Sequence, residues 1–300
     1  MLPNLVLLGA QKSATTFLLG RLAEHPEVHM VRDEVLCFED PDYATFDPAD
    51  LERLFESATT ESTLGIKRAD YLARPEVAPR IFRHLPEARL IAVLRDPVAR
   101  AISAYFYYVR LGLLPLLPLE EGMRRLLSGV APAGYSRADD ILEYGRYHTQ
   151  LTRYLELFPR ERLLVLTLED LNRDVLATMR NVYEFLEVDP EYVPRQLTKN
   201  SNRGVYSLSR LRILTSRNRF MYRYAPAHAR VTRQRLDPLG LLWVGGVTVL
   251  DRVLLRRLLG SGTPACPAWL RQRLVQEYEE EVRGLESLLG RDLSSWLSGE

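Results

Sequence analysis

A hydroxyl-rich segment follows the first apolar run of the chain, at residues 9–16 with the sequence GAQKSATT. It contains the amine of Lys12 and the hydroxyl groups of Ser13, Thr15 and Thr16. A turn between a buried strand and a helix exposes backbone N–H groups and the positive end of the helix dipole, so phosphates bind there readily. The segment therefore predicts a phosphate-binding turn in which Lys12 supplies a mobile positive charge.

The spacing of this turn differs from that of the Walker A loop of nucleotide triphosphatases. In that loop, G-x-x-x-x-G-K-[ST], the lysine directly follows a second glycine. Here Lys12 comes three residues after Gly9, and no second glycine precedes it. The turn is P-loop-like but indicates a different nucleotide. A plain strand-to-helix turn with a solvated lysine is the alternative.

A second group of polar side chains follows the apolar run at residues 89–94. Arg95 comes directly after it, and Asp96 and Pro97 are typical of a helix N-cap and first helical residue. Ser103 shares a helical face with position 96. A guanidinium and a hydroxyl at the carboxyl edge of a sheet suit a phosphate monoester. A surface ion pair between Arg95 and Asp96 is the alternative.

The elements that position these groups alternate between apolar runs and helical patterns. Strands that are apolar throughout and alternate with helices form parallel sheets covered on both faces. We therefore expect a three-layer α/β fold with a central parallel sheet, followed by a helical C-terminal region. The expected strands are residues 4–8, 64–67, 89–94 and 162–166, and the expected helices are residues 14–24, 76–84, 97–110, 141–158, 175–186 and 267–296, with a long connection at 111–135.

The composition sets limits on partners and compartment. The 300 residues are 46% hydrophobic and carry a formal net charge of +1, so no global field favours nucleic acid or membrane. Two cysteines give no disulfide framework, and no pair of the five histidines has metal-ligand spacing, so we expect no metal. The apolar stretch 239–250 is shorter than the roughly 20 residues of a bilayer span, which indicates a core or interfacial segment. Without a targeting signal, we expect a soluble, cytoplasmic protein.

One segment is strongly basic. Residues 203–236 contain nine arginines and no acidic residue, with tyrosines and a phenylalanine interleaved. We expect this segment to form part of an acceptor entrance that favours an anionic or membrane-surface-bound acceptor. A solvated helical face, offset by the acidic run at residues 277–281, is the alternative.

The two phosphate motifs resemble those of the sulfotransferase family. Residues 12–16, with the downstream Leu18, Leu22, His25 and Pro26, resemble the loop that binds the 5′-phosphosulfate. Residues 95–105 resemble the 3′-phosphate motif R-D-P-x-x-R-x-x-S-x-Y, and Arg203-Gly204 resembles the loop that completes that site. The third residue of the first loop is usually glycine. Here it is Ala14, which we expect to fit with a negative φ.

The resemblance, which covers about residues 4–206, implies a donor and a set of contacts. The donor is 3′-phosphoadenosine 5′-phosphosulfate, the product is adenosine 3′,5′-bisphosphate, and the implied reaction is in-line transfer of a sulfuryl group to an acceptor hydroxyl or amine. The implied nucleotide-binding residues are Gln11, Lys12, Ser13, Ala14, Thr15, Thr16, Arg95, Ser103, Arg203 and Gly204.

The resemblance also implies catalytic residues, with Lys12 at the bridging oxygen of the donor. Residues 33–38 resemble the K/N-E-x-H-F-F segment of glycosaminoglycan-type sulfotransferases, in which the glutamate is the base. Glu34 matches that base, although Leu36 stands where a histidine is usual. Lys67 resembles the second active-site lysine. Small-molecule sulfotransferases instead place a histidine soon after a lysine in this region, where this chain has Arg68-Ala69-Asp70.

Two other functions are compatible with parts of the sequence. A P-loop nucleotide kinase or triphosphatase would share the turn and could use Asp96 as a Walker B carboxylate, but the adjacent Arg95 opposes Mg²⁺ binding. A non-catalytic protein could bind polyanions or membrane surfaces through residues 203–236. We favour a single sulfotransferase domain over residues 1–300, with its core at about 4–206 and the arginine-rich and helical part at about 207–300. Saccharide, lipid, polyketide, peptide and other small-molecule acceptors stay open, as does the oligomeric state, and no nucleic acid partner is expected.

Overall fold

The computed structural model describes residues 1–197, 204–259 and 266–298. The chain divides into two compact units. The first comprises Met1–Asp96, Arg146–Asn200 and Glu281–Arg291, and the second comprises Pro97–Gly145, Ser201–Glu280 and Asp292–Glu300. The single domain expected from the sequence stays a prediction.

The strands and helices are numbered along the chain. The strands are β1 (Leu5–Gly9), β2 (Val28–Met30), β3 (Thr63–Lys67), β4 (Arg89–Leu94), β5 (Leu163–Thr167), β6 (Tyr222–Tyr224) and β7 (Val231–Arg233). The helices are α1 (Thr15–Leu22), α2 (Pro48–Arg53), α3 (Val77–His84), α4 (Pro97–Leu111), α5 (Leu119–Leu127), α6 (Asp140–Glu143), α7 (Tyr147–Leu155), α8 (Leu168–Arg173), α9 (Val175–Leu186), α10 (Leu208–Ser216), α11 (Asn218–Met221), α12 (Pro238–Leu250), α13 (Arg256–Leu258) and α14 (Ala268–Leu289).

The first unit is built on a parallel sheet with the strand order β2-β3-β1-β4-β5. Strand β1 lies in the centre, between β3 and β4. The chain runs from β3 on one side of β1 to β4 on the other, so the order reverses around β1. In open α/β sheets, ligands bind outside the carboxyl ends of the strands at such a switch point. The end of β1 is therefore the place where this fold would hold a ligand.

The central strand is apolar along its whole length. Leu5 and Leu7 lie in a core cluster with residues of α1, α8 and α9. Val6 and Leu8 alternate with them and are also fully buried. Because successive side chains of a strand point to opposite faces, the sheet is covered on both faces. The predicted three-layer α/β architecture with a central parallel sheet is confirmed.

The second unit contains the helices α4–α6 and α10–α13 and the antiparallel hairpin β6–β7. Strand β4 leads into α4 at Pro97, as predicted. Helix α12, a π-helical turn at Asp251–Leu255 and α13 form one continuous helix, Pro238–Leu258. It is the one helix among the described residues that is long and apolar enough to cross a membrane, and 17% of its apolar window is buried. Of the two expectations for residues 239–250, a core or an interfacial segment, the exposure of this helix excludes the core.

Two further boundaries differ from the prediction. The connection at residues 111–135 contains α5, because Leu119, Met123 and Leu126 recur at helical spacing and are buried. The helix expected at residues 141–158 is divided into α6 and α7 around Gly145, a residue of low helix propensity.

Candidate active site

The turn after β1 has the geometry of an anion-binding loop. Lys12 and Ala14, on either side of Ser13, both have positive φ, at 72° and 67°. The Ser13 N–H donates to the carbonyl of Ala10 at 3.2 Å, which closes the turn. The first N–H groups of α1, which have no intrahelical acceptor, follow directly at Thr15 and Thr16. Turns of this kind aim successive backbone N–H groups into one concavity that attracts anions.

The conformation of Ala14 corrects the expectation from the sequence. Its φ of 67° and ψ of 22° lie in the left-handed region, not at the negative φ that we expected. The Ala14 carbonyl accepts from the N–H groups of Phe17 and Leu18, so the start of α1 fixes this conformation. The left-handed region costs an L-residue about 1–2 kcal/mol. A glycine is usual at this position in the family because it avoids that strain.

Ser13 points to a ligand at this turn. Its side chain is fully buried, yet Oγ has no hydrogen-bond partner among the described residues. A buried hydroxyl without a partner is unfavourable, and such groups are rare in folded proteins. Gly9 keeps the turn tight, because a Cβ there would lie 2.6 Å from the carbonyl oxygen of Ala69. The turn thus presents a buried donor and helix N–H groups without an intrahelical acceptor, which suits a phosphate oxygen.

Glu34 and Lys67 meet beside the turn. Lys67 Nζ lies 2.7 Å from Glu34 Oε1 and donates to Thr16 Oγ1 at 3.3 Å. Lys67 is buried, whereas the Glu34 side chain is 33% exposed. The structure therefore brings together three residues that the sequence singled out separately, and one carboxylate among them is accessible from outside.

Backbone hydrogen bonds fix this meeting. The segment after β2 continues along β3, and the N–H of Val35 donates to the carbonyl of Lys67 at 3.1 Å. The segment after β3 is joined to β1, because the N–H of Arg68 donates to the carbonyl of Leu7. Both segments that carry the charged side chains are therefore attached to the carboxyl ends of central strands.

Arg68 holds the other oxygen of Glu34. Its Nη1 donates to Glu34 Oε2 at 3.0 Å, and its Nε donates to Glu39 Oε1 at 2.6 Å. Its Nη2 contacts Asp70 Oδ2 at 3.1 Å, and Asp70 Oδ1 accepts from Gln11 Nε2 at 3.0 Å. A chain of charge-assisted hydrogen bonds therefore connects Glu34 to the phosphate-type turn. We refer to Glu34, Glu39, Arg68 and Asp70 as the carboxylate cluster.

The pKa values of Arg68 and Glu39 depend on their partners in the carboxylate cluster. Burial opposes the charge of Arg68, but Asp70, Glu39 and Glu34 outweigh it and hold the pKa of the guanidinium above its ordinary value. Burial raises the pKa of Glu39, while its hydrogen bonds to Arg68 act in the opposite direction. No role for Arg68 follows from the sequence alone, because its partners lie 2 to 34 residues away along the chain and meet only through the sheet.

The predicted 3′-phosphate residues are divided between the units. In the first unit, Arg95 Nη1 donates to the carbonyl of Lys12 at 3.4 Å, which places this guanidinium against the turn. In the second unit, Ser103 is a buried residue of α4, and Gly204 lies before α10. Arg203 lies outside the described residues. Their roles in binding a 3′-phosphate stay predictions.

Arg100, a residue of the same motif, received no role from the sequence. It is fully buried in the second unit and donates through Nη2 to the carbonyl of Ile141. Its Nε and Nη1 have no partner among the described residues. The R-x-x-S spacing to Ser103 is the signal that could have identified it. No group of three or more His, Cys, Asp or Glu side chains in the described part of the chain could hold a metal ion.

The chain is similar in sequence to known proteins of one family. The profile of the sulfotransferase domain matches residues 2–223. The membrane-associated sulfotransferase kil1 of Dictyostelium discoideum is 32% identical over 166 residues, which cover 54% of this chain and 33% of that protein. The heparan sulfate glucosamine 3-O-sulfotransferase 3A1 of Mus musculus is 28% identical over 206 residues, which cover 68% of this chain and 50% of that protein. The chain thus spans between 33% and 50% of the length of these two relatives.

A solved structure shows the same fold. The crystal structure of a sulfotransferase from Alicyclobacillus acidocaldarius matches 99% of both chains with a TM-score of 0.66 and 22% sequence identity. This likeness extends to the C-terminal part of the chain, for which the sequence motifs gave no match.

Proposed function

The chain belongs to the sulfotransferase family, and from this we propose that it transfers a sulfuryl group from 3′-phosphoadenosine 5′-phosphosulfate to an acceptor hydroxyl or amine. One observation carries the proposal. The buried hydroxyl of Ser13, which has no partner among the described residues, lies in the turn before α1, and the accessible carboxylate of Glu34 is linked to Thr16 at the start of that helix through Lys67.

The turn after β1 would hold the 5′-phosphosulfate. The N–H groups at the start of α1 and the Ser13 hydroxyl suit the phosphate oxygens. Lys12 would neutralise the charge that develops on the bridging oxygen as the sulfur–oxygen bond breaks. Arg95 would reach the 3′-phosphate, together with Ser103 and the Arg203-Gly204 loop. Ser13 supports the fit, because a phosphate oxygen would satisfy its Oγ.

Glu34 would act as the general base. Its carboxylate accepts the proton of the acceptor hydroxyl while the acceptor oxygen forms a bond to sulfur. The sulfur–oxygen bond to the 5′-phosphate breaks in the same displacement, and its electron pair stays on the leaving phosphate. The Glu34 side chain is 33% exposed and can meet an acceptor, whereas Glu39 and Asp70 are buried. A base must first reach its proton, and Glu34 is the carboxylate of the cluster that meets this condition.

Lys67 would interact with both the base and the sulfuryl group. Its ammonium group lies between Glu34 and Thr16, with one contact to each. As Glu34 takes up the proton, the ion pair weakens and the positive charge of Lys67 becomes available to the sulfuryl oxygens. Electrostatic stabilisation of this kind requires no rearrangement when the reaction occurs.

The acceptor is proposed at the level of its class. The relatives include heparan sulfate enzymes by name, and a saccharide or other small hydroxyl compound suits an exposed carboxylate. Leu36 replaces the histidine that glycosaminoglycan-type enzymes carry at this position, so we expect the acceptor contacts to be more apolar here.

Transfer of ³⁵S from the labelled donor to a panel of saccharide, phenolic and hydroxyacyl acceptors, in excess chelator, tests the proposal. We expect label on at least one acceptor class with the wild-type chain and none above background with Lys12→Ala. Hydrolysis of ATP that requires Mg²⁺, with no sulfuryl transfer to any acceptor, would assign the protein to the nucleotide triphosphatases instead.

A further inference from the structure

The longest apolar helix of the second unit is largely uncovered. Helix Pro238–Leu258, which we call the apolar helix, has a mean hydropathy of 1.5 over its most apolar window. Leu239 is 74% exposed, Leu242 75% and Val249 61%. Exposed apolar residues are normal when they are scattered singly, but contiguous ones mark an interaction site.

Most of the exposed apolar side chains of the apolar helix lie on one face. Apart from the turn that contains Gly245 and Gly246, they recur at intervals of three and four residues, the spacing that aligns side chains along one side of a helix. The members of this face are Leu239, Leu242, Trp243, Val249, Leu250, Val253 and Leu254.

The opposite face is fixed to the protein along its whole length. Gly240 near its start, Val247 in the middle and Leu255 near its end are buried. Polar contacts secure the same side. Thr248 Oγ1 accepts from Arg217 Nη1 at 2.9 Å, and Asp251 pairs with Arg210 at 2.8 Å. The exposed face therefore belongs to a helix that is already docked on one side.

The segment of the chain that contains the apolar helix is strongly basic. Residues 204–259 contain eleven arginines, two aspartates and neither lysine nor glutamate. Both aspartates are engaged, since Asp237 caps the helix through the N–H of Gly240 and Asp251 pairs with Arg210. Eight of the arginines are exposed, at positions 212, 219, 223, 233, 235, 252, 256 and 257. An apolar face within a basic surface is complementary to acyl chains below anionic headgroups.

We propose that the apolar helix lies in the plane of an anionic phospholipid bilayer, with its exposed face among the acyl chains and the surrounding arginines at the phosphates. The packed face favours this orientation over a bilayer span. A spanning helix would carry Asp251, Arg210 and Arg217 into the hydrocarbon, where charged groups are costly. The proposal rests on the second unit alone and does not depend on the reaction proposed above.

Vesicle flotation with the full chain tests the docking. We expect binding to phosphatidylcholine vesicles that contain phosphatidylglycerol and much weaker binding to phosphatidylcholine alone. Binding should weaken as salt rises from 0.1 M to 1 M, because the Debye length falls from about 10 Å to about 3 Å. No binding to either vesicle at low salt would overturn the proposal.

Adjacent leucines provide a matched pair of variants. Leu242 lies on the exposed apolar face. Leu241 is 58% exposed but lies off that face, because successive residues are about 100° apart around the helix axis. Leu242→Asp should lower the partition coefficient about tenfold or more, and Leu241→Asp should lower it much less. Both variants should keep the wild-type circular dichroism, since both side chains are exposed. Equal losses for the two variants would contradict insertion of this face.

Quenching by brominated lipids distinguishes the orientation and the occupant. With Trp269 and Trp296 replaced by phenylalanine, Trp243 and a tryptophan introduced as Leu250→Trp in the Trp243→Phe background should be quenched at the same shallow depth. Much deeper quenching at position 250 than at position 243 would indicate a spanning helix and overturn the in-plane arrangement. If a second copy covers the face instead, analytical ultracentrifugation should show a stable dimer that does not bind vesicles and that Leu242→Asp dissociates. That result would overturn the proposal.

Discussion

Arg68 in the first unit contacts three carboxylates and is 17% exposed, whereas Arg252, Arg256 and Arg257 in the second unit are exposed beside uncovered leucines. Both regions are rich in charge, but they use it differently. In the carboxylate cluster, each charge is directed to a particular atom, and one carboxylate is left accessible. Around the apolar helix, charge of one sign spreads over a surface.

This difference separates two kinds of recognition. Fixed, buried charges select a small ligand by geometry, because each hydrogen bond to a charged group needs a defined distance. A basic apolar surface binds an extended partner through the apolar area that it buries and through electrostatic attraction that salt screens. Variants in one region should therefore leave the function of the other unchanged.

The largest effect should come from Lys12→Ala. Loss of the positive charge at the leaving phosphate should lower the rate of sulfuryl transfer about 10³-fold, as removal of one transition-state donor does elsewhere. Lys12→Arg keeps the charge and should retain part of the rate. Vesicle binding, measured in parallel by flotation, should be unchanged in both variants. If Lys12→Ala loses vesicle binding as well, the two regions are not independent.

Substitutions of Glu34 and Glu39 distinguish a catalytic role from a structural role within the carboxylate cluster. Glu34→Gln removes the proposed base and should lower the rate about 10²-fold or more, with a smaller loss of stability than Glu39→Gln because the Glu34 side chain is more exposed. Glu39→Gln weakens the buried hydrogen bonds to Arg68 and should lower the free energy of unfolding by about 1–3 kcal/mol. Its activity per folded molecule should stay within several-fold of the wild type. The reverse pattern in kinetic assays and thermal unfolding would make Glu39 the base.

The smallest effect concerns the backbone of the turn. Ala14→Gly relieves the left-handed strain but gives the unfolded chain more freedom, so the free energy of unfolding should change by no more than about 1 kcal/mol. Ala14→Val should destabilise the protein more, because a β-branched residue at positive φ is strongly disfavoured. Chemical denaturation measures both. A stabilising Ala14→Val would contradict the positive φ.

The sequence was most informative where structure is local. The apolar runs predicted β1, β3, β4 and β5 to within about one residue, and Val175–Leu186 was predicted with its exact bounds. The stretch at residues 239–250 was not predicted to be a helix, and its apolar character was taken to end at Asp251 and Arg252. The ion pair between Asp251 and Arg210 lets the helix continue. Helix α5 was missed because prolines precede it and Gly122 interrupts its pattern.

The candidate site was only partly predictable. The residue pattern predicted the turn, and the family resemblance pointed to Glu34 and Lys67, but neither predicted that Lys67 lies between Glu34 and Thr16. The role of Arg68 depends on where β2 and β3 place residues 34 and 39, which no local pattern encodes. The φ of Ala14 could not be predicted either, because alanine rarely adopts the left-handed region.

Nucleotide binding tests the central claim, a site built for 3′-phosphoadenosine 5′-phosphosulfate, most directly. Adenosine 3′,5′-bisphosphate and adenosine 5′-monophosphate should be titrated by calorimetry into the full chain in excess chelator. The bisphosphate should bind about 10- to 100-fold more tightly, since hydrogen bonds to charged groups contribute roughly 1.5–3 kcal/mol each. Arg95→Ala and Ser103→Ala should remove most of that preference. Equal affinity for the two nucleotides, or binding that requires Mg²⁺, would contradict the account.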